Sequence, residues 1–312
     1  MSALICGSFA FDTIMVFHDR FKNHILPEQV HILNVAFLVP ELRREYGGCA
    51  GNIAYNLKLL GGEGKPMGTV GRDFGPYAEW MDRWEIDRSY LRVIDEEYTA
   101  QAYITTDQDD NQITAFHPGA MNHSHVQQVS AAGRECSLGL VSPDGRQGMI
   151  DHAAQFSELE IPFIFDPGQG MPMFNGEELL GFAEQATWLA FNDYEAKLME
   201  ERTGKSPRML TELVDGVIVT RGAKGSSIYT RNKLFEIPAA PAVRLVDPTG
   251  CGDAYRAGLL YGLMNGMDWD VTGRIAALMG AIKIAHAGTQ NHCFTPGEFA
   301  AQFKDIFGFS FT

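Results

Sequence analysis

Toward its C-terminal end the chain reads Asp247-Pro248-Thr249-Gly250-Cys251-Gly252-Asp253, followed by Ala254-Tyr255-Arg256-Ala257-Gly258-Leu259-Leu260. Gly250 and Gly252 let backbone N–H groups converge where a Cβ would obstruct them. The helix expected to start here adds orphan amide donors and the positive end of its dipole, which suits an anion such as phosphate. Asp253 makes a poor anion ligand, because it would repel what it faces. Beside an anion hole, a carboxylate fits the task of taking a proton from an attacking hydroxyl. The combination points to phosphoryl transfer onto an alcohol. Cys251, a thiol at a helix start, is expected to have a lowered pKa. Arg256, one turn on, is placed either to touch phosphate or to neutralise Asp253.

A turn of this kind needs a rigid frame, and 312 residues suffice for one large α/β domain or two modest ones. Apolar content of 45% with 21% charged residues is ordinary for a globular protein. The balance of 25 basic against 39 acidic residues, net −14, argues against nucleic acid or an anionic membrane as partner. A nucleotide needs only one local positive pocket and stays open. The five cysteines are scattered and form no C-x-x-C pair, which favours a reducing compartment over disulfides or zinc. Met1–Ser8 has no signal-peptide character and no apolar run nears the ~20 residues of a membrane span, so a cytoplasmic location is expected.

Ala3–Cys6 reads as a buried strand. Asp12–Phe17 and His31–Val39 read as strands from their β-branched and aromatic content. Gly47-Gly48-Cys49-Ala50-Gly51 is a glycine-rich loop, and Asn52–Leu60 carries Ile53, Leu57 and Leu60 at helical spacing before Gly61-Gly62. Tyr98–Thr106 and Gln112–Phe116 form a second strand pair around the turn Asp107–Asn111. Beyond Leu138 the apolar runs Leu138–Val141, Phe163–Phe165, Trp188–Phe191 and Gly216–Val219 alternate with helical stretches, the pattern of a helix-covered parallel sheet. The expected division is an α/β core of residues 1–11, 47–95 and 121–312, with a small β-sheet lid from 12–46 and 96–120. Ala254, Gly258 and Gly262 recur every four residues, which predicts close backbone approach along one helix face.

No P-loop occurs, and Tyr255 stands where a dinucleotide-binding fingerprint would need its third glycine, so any nucleotide is held another way. The Asp247–Asp253 run resembles the C-terminal signature of the PfkB, or ribokinase-like, family of sugar and nucleoside kinases. Gly47-Gly48-Cys49-Ala50-Gly51-Asn52-Ile53-Ala54, continuing to Gly68 and Gly71, is similar to that family's N-terminal signature. Asn192-Asp193-Tyr194-Glu195 matches its N-x-x-E element, and Thr220-Arg221-Gly222-Ala223-Lys224-Gly225 its nucleotide loop. Four motifs in family order make the match specific. The resemblance implies a three-layer α/β/α fold with a mostly parallel sheet and a β lid, using ATP and Mg2+, with K+ or another monovalent cation as a further candidate.

By the same resemblance Asp253 is the catalytic base, and the amides of Gly250, Cys251 and Gly252 form the anion hole. Asn192 and Glu195 organise Mg2+ through water, given how reluctantly that ion dehydrates. Read alone, the pair is a helix cap with its capping-box glutamate. Thr220, Arg221, Gly222, Lys224 and Gly225 hold the nucleotide, and Asn291 borders the adenine and monovalent-cation regions. Asp12, at the family's spacing from Gly7, grips sugar hydroxyls with Gly48 and Asn52; otherwise Asp12 ends a strand and Asn52 starts a helix. His286 and His292 read as surface histidines, since no third metal ligand is spaced with them.

The hairpin 98–117 contains no Lys or Arg, which disfavours a phosphorylated acceptor. Phe116, Tyr103 and Phe37 offer apolar surface for a flat nucleobase. Asn34-Val35-Ala36-Phe37-Leu38-Val39 also resembles adenosine-kinase-like microbial nucleoside kinases, making Asn34 and Phe116 candidate acceptor contacts. The alternative has these residues pack the lid or a homodimer interface. Phosphorylation of a purine nucleoside at its 5′-hydroxyl is the expected activity. A kinase of free ribose or fructose and a non-catalytic nucleoside-binding regulator are its rivals.

Overall fold

Ser2–Cys6 forms strand β1, buried at all five positions, as a strand covered on both faces must be. Its alternation sends Ala3 and Ile5 into one core with Ile53, Leu57 and Leu259. Leu4 and Cys6 enter a second core with Met149, Phe156 and Phe182. One strand thus defines three layers. This computed structural model describes residues 1–25, 34–109, 111–132 and 135–311.

The remaining strands are β2 (Ala10–Val16), β3 (Glu41–Gly47), β4 (Glu63–Gly71), β5 (Tyr90–Ile94), β6 (Ala100–Thr106), β7 (Gln112–His117), β8 (Cys136–Val141), β9 (Phe163–Phe165), β10 (Trp188–Asn192), β11 (Gly216–Thr220), β12 (Ser226–Tyr229) and β13 (Leu234–Ile237). Nine of them make a large sheet in the order β13-β12-β11-β10-β9-β8-β1-β4-β5. It is parallel from β11 to β5 and closes at the other edge with two antiparallel pairings. A separate four-stranded sheet, β3-β2-β6-β7, forms the lid. The helices are α1 (Cys49–Leu59), α2 (Gly75–Arg83), α3 (Arg146–Glu158), α4 (Gly176–Gln185), α5 (Asp193–Thr203), α6 (Pro207–Leu210), α7 (Cys251–Met264), α8 (Trp269–Ile284) and α9 (Pro296–Phe307).

Several boundaries differ from the sequence expectation by one or two residues, and two differ in a way that bears on the site. Of the strand read over 31–39, positions 31–33 lie outside the described residues and 34–40 have no regular secondary structure; the strand is Glu41–Gly47. The β-branched residues misled, because β3 is a largely exposed edge strand and edge strands carry charge rather than apolar runs. Helix α1 starts at Cys49, not Asn52, since Gly48 at φ 86° supplies the turn into it. Asn52 is therefore an internal, buried residue. The α7–α8 contact is as close as the small-residue spacing predicts: a Cβ on Gly258 would sit 2.5 Å from Ala276 Cα.

In an open α/β sheet, ligands gather at the carboxyl ends of the parallel strands. Here that edge carries Gly7 after β1, Ser142 after β8, Asp166 after β9, Asn192 ending β10 and Thr220 ending β11. The lid is rooted at the same edge, since β2 leaves the core three residues after Gly7. Among the described residues, no helix is long and apolar enough to cross a membrane. All five cysteines are free.

Candidate active site

Helix α7 begins on Gly250, whose φ of 77° lies in the left-handed region, and no side chain caps it. Cys251 N donates back to the Pro248 carbonyl at 3.2 Å, and Gly250 N and Gly252 N are left to face an anion. Cys251 and Gly252 line a cleft of 530 Å³ together with Thr220, Gly222, Gly225 and Tyr255. The predicted anion hole and part of the predicted nucleotide loop therefore share one wall-to-wall space. Leu245, Ala277 and Ile284 give it an apolar flank suited to a flat ring.

Asp253 sits in the first turn of α7 and is half-buried. Asn52 Nδ2, from α1, donates to Asp253 Oδ2 at 2.8 Å. Burial raises the Asp253 pKa to about 6; the Asn52 bond opposes the rise and the charge of Asp166 adds to it. A carboxylate in that range is ionised at neutral pH yet basic enough to accept a proton.

Arg256 bonds Asp166 and not Asp253, although its charge still lowers the Asp253 pKa. Its Nε and Nη2 donate to Asp166 Oδ2 and Oδ1 at 2.9 and 3.1 Å, with both side chains buried. Asp166 was missed by motif matching, although a carboxylate directly after the apolar run Phe163–Phe165 is a usable signal.

Asp12 lies near the root of β2, opposite Glu45 of β3 and Ala102 of β6. Its pKa is raised to about 6 by burial first, then by the charges of Glu45 and Asp247. Ala102 in turn pairs with Phe116 of β7. Directly paired residues share a face, so Glu45, Asp12, Ala102 and Phe116 form one row, with Phe116 about 10 Å from Asp12 by strand spacing. Phe116 is 53% exposed. Phe37 instead packs the lid, with ring centroids 4.8 Å from Phe17 and 5.0 Å from Phe21. Asn34 lies exposed in the irregular stretch before β3.

Asn192 and Glu195 form the full capping box at the start of α5. Glu195 N donates to Asn192 Oδ1, and Asn192 N and Nδ2 donate to Glu195 Oε2 and Oε1, all at 2.8 Å. Burial and the charge of Asp166 push the Glu195 pKa up. Each of its oxygens keeps a lone pair free for a water, which fits a water-mediated cation. Among the described residues, no three His, Cys, Asp or Glu side chains group as metal ligands.

Several predicted residues turn away from the cleft. Arg221 pairs with Glu236 at 2.5 Å, and Lys224 is exposed on the loop. Asn291 Nδ2 donates to Glu45 Oε2 at 2.7 Å, tying the loop after α8 to the lid rather than lining the nucleotide cleft. The lowered pKa expected for Cys251 is overturned: burial pushes the thiol up to about 11, outweighing Lys283. His292 is no surface residue. It is buried against Asn56 Oδ1 at 2.8 Å, and burial drives its pKa down to about 3.

Comparison with known proteins follows the same lines. Residues 10–296 match the family described as pfkB family carbohydrate kinase. A nucleoside kinase of Methanocaldococcus jannaschii is 32% identical over 271 residues, spanning 83% of this chain and 85% of its own. The structure of Burkholderia thailandensis nucleoside kinase in complex with inosine is 51% identical and covers 99% of both chains, with a TM-score of 0.89. The same Burkholderia protein in complex with ADP-inosine is similar at a TM-score of 0.87 and 52% identity, covering 99% of this chain and 97% of that one.

Proposed function

The chain belongs to the pfkB family of carbohydrate kinases, phosphotransferases that act on an alcohol group, and we propose that it phosphorylates the 5′-hydroxyl of a nucleoside with ATP as donor. Purine nucleosides are the acceptors this reading favours. The observation that carries it is the row on the lid face: a carboxylate, Asp12, with an exposed aromatic, Phe116, about two strand spacings away. That spacing suits a ribose on Asp12 and a base against Phe116. The inosine complex of the Burkholderia relative supports the same acceptor class.

In this reading Asp12 accepts hydrogen bonds from the ribose hydroxyls beside Gly48, and the lid excludes water over the site. Asn34 approaches the acceptor from the stretch before β3. Asp253 takes the proton of the 5′-hydroxyl as it attacks, and the amides of Gly250 and Gly252, joined by that of Cys251 once it leaves the Pro248 carbonyl, stabilise charge gathering on the γ-phosphoryl group. Thr220, Gly222 and Gly225 border the nucleotide, with Arg221 and Lys224 at the rim. Asn192 and Glu195 would hold Mg2+ through water, and the ion would neutralise phosphate charge. The test is ATP consumption with adenosine, inosine, cytidine, ribose and fructose. A kcat/KM for inosine or adenosine at least about 10²-fold above that for ribose is expected, because the base contacts would be missing. Equal values would favour a free-sugar kinase.

We infer further that the outer lid face meets a second copy of the chain. Leu42, Met15, Thr105 and Ile113 form one row there, and Leu42 and Ile113 are 64% and 44% exposed. Apolar surface of this kind on a sheet face calls for a cover. Sedimentation should give a dimer that Leu42→Glu converts to monomer; a wild-type monomer at micromolar concentration would refute it.

A further inference from the structure

The bond from Asn52 to Asp253 raises a question of direction. An amide side chain can present either its NH2 or its carbonyl, and the two ends have the same shape. A carbonyl facing Asp253 would set two acceptors against each other and disfavour the ionised carboxylate. Something must hold Asn52 the right way round.

Gln290, 2% exposed, supplies the hold. Its Nε2 donates to Asn52 Oδ1 at 2.9 Å and to the Tyr77 hydroxyl at 2.7 Å. Trp80 Nε1, on α2, donates to Gln290 Oε1 at 2.9 Å. An indole N–H can only donate, so Gln290 must offer Trp80 its carbonyl. Tyr77 commits its single proton to the Gly47 carbonyl at 2.9 Å, so it must accept from Gln290. Both constraints send the Gln290 NH2 toward Asn52. The Asn52 carbonyl must then accept, and its NH2 is left to point at Asp253. The direction of every bond in the chain follows from one donor-only ring and one hydroxyl.

We infer that Gln290 and Trp80 are positioning residues for Asp253, fixing the direction of the Asn52 amide so that the carboxylate stays ionised and ready to accept a proton. The inference rests on the reading of Asp253 as the base. Neither residue touches the reacting groups. The other titratable or charged groups around Asp253 are Cys49 on α1, Tyr77 on α2, Asp166 after β9, Cys251 and Arg256 on α7, and Lys283 on α8. None of them is a neutral amide whose flip could reverse a hydrogen bond to the base.

The test uses Gln290→Met and Trp80→Phe, which keep the bulk of each side chain, in the full-length protein. The readout is the acid limb of kcat/KM against pH, which reports the free enzyme. With its donor lost, Asp253 is harder to ionise, so the limb should move to higher pH by about one unit in Gln290→Met. Trp80→Phe should move it the same way by less, because Tyr77 still constrains Gln290. Above the limb both variants should keep rates within about threefold of wild type. A purely structural role would lower the whole profile without moving the limb, and that result would overturn the inference. If Gln290→Met does not fold, Trp80→Phe carries the test alone. Near-normal turnover by Asp253→Asn would remove the base itself. An inactive Asp253→Asn with an unmoved limb in the other two variants would remove only the positioning role.

Discussion

Replacing Asp253 by asparagine is expected to lower kcat about 10³-fold while leaving acceptor affinity within a few-fold of wild type, the signature of a lost general base. Asparagine keeps the shape and can still accept from Asn52, so binding survives. The same variant should be more heat-stable at pH 7.5. Burial raises the Asp253 pKa to about 6, so the folded protein holds that proton more tightly than the unfolded chain. Above about pH 6 the buried charge therefore costs stability. That cost fades as pH falls through about 6 toward the ordinary carboxylate value. Because the carboxylate keeps some contact with solvent, the gain in the variant should be at most about 2 kcal/mol. Thermal melts at pH 7.5 and 4.5 check this: the gain should be full at the first and much smaller at the second. In the wild-type enzyme the rate should fall as pH drops through about 6. Turnover by Asp253→Asn near wild-type level would end the assignment.

The second large effect concerns Arg256. Its partner Asp166 is 8% exposed at the side chain and Arg256 is 5% exposed. Arg256→Met strands a carboxylate in the interior, which costs about 3–5 kcal/mol. For a chain of this size that is a fall in Tm of about 5–8 °C. Asp166 also raises the pKa of both Asp253 and Glu195, while Arg256 lowers both. The acid limb of the rate should accordingly move to higher pH. Adding Asp166→Asn removes the stranded charge and should restore much of the Tm. A single variant as stable as wild type would mean that solvent or another cation reaches Asp166.

The fold was legible where burial is two-sided. Phe163–Phe165, Trp188–Phe191 and Gly216–Val219 are apolar because helices cover both faces, and they appear as β9, β10 and β11 with shifts of at most one residue. The lid was harder, because its edge strand Glu41–Gly47 is held by pairing to β2 and has no apolar pattern to betray it. Asp253, Gly250, Gly252, Thr220 and Gly225 could be read as motifs because local spacing makes them. The Asp166–Arg256 pair spans 90 residues and the Gln290–Asn52 bond 238. No local pattern encodes either. Cys251 and His292 were misjudged for a shared reason: the rules for helix starts and exposed imidazoles assume water nearby, and both groups have lost it.

Among the described residues, the lid's hydrogen bonds to the core cluster toward one end, at Arg44, Glu45, Tyr46 and Gln101, which would let it swing as a lever. Asp12, Glu45, Ala102 and Phe116 lie two residues above the root formed by Ala10, Gly47 and Ala100, whereas Val16, Glu41 and Thr106 lie at the tip. At about 3.4 Å per residue, a swing of about 20° about the root would carry the tip about 7 Å but the Asp12 row only about 2 Å. The row proposed to hold the acceptor thus sits beside the axle, and the tip would do the travelling. Opening wide enough to exchange a nucleoside need hardly disturb the spacing by which it is recognised.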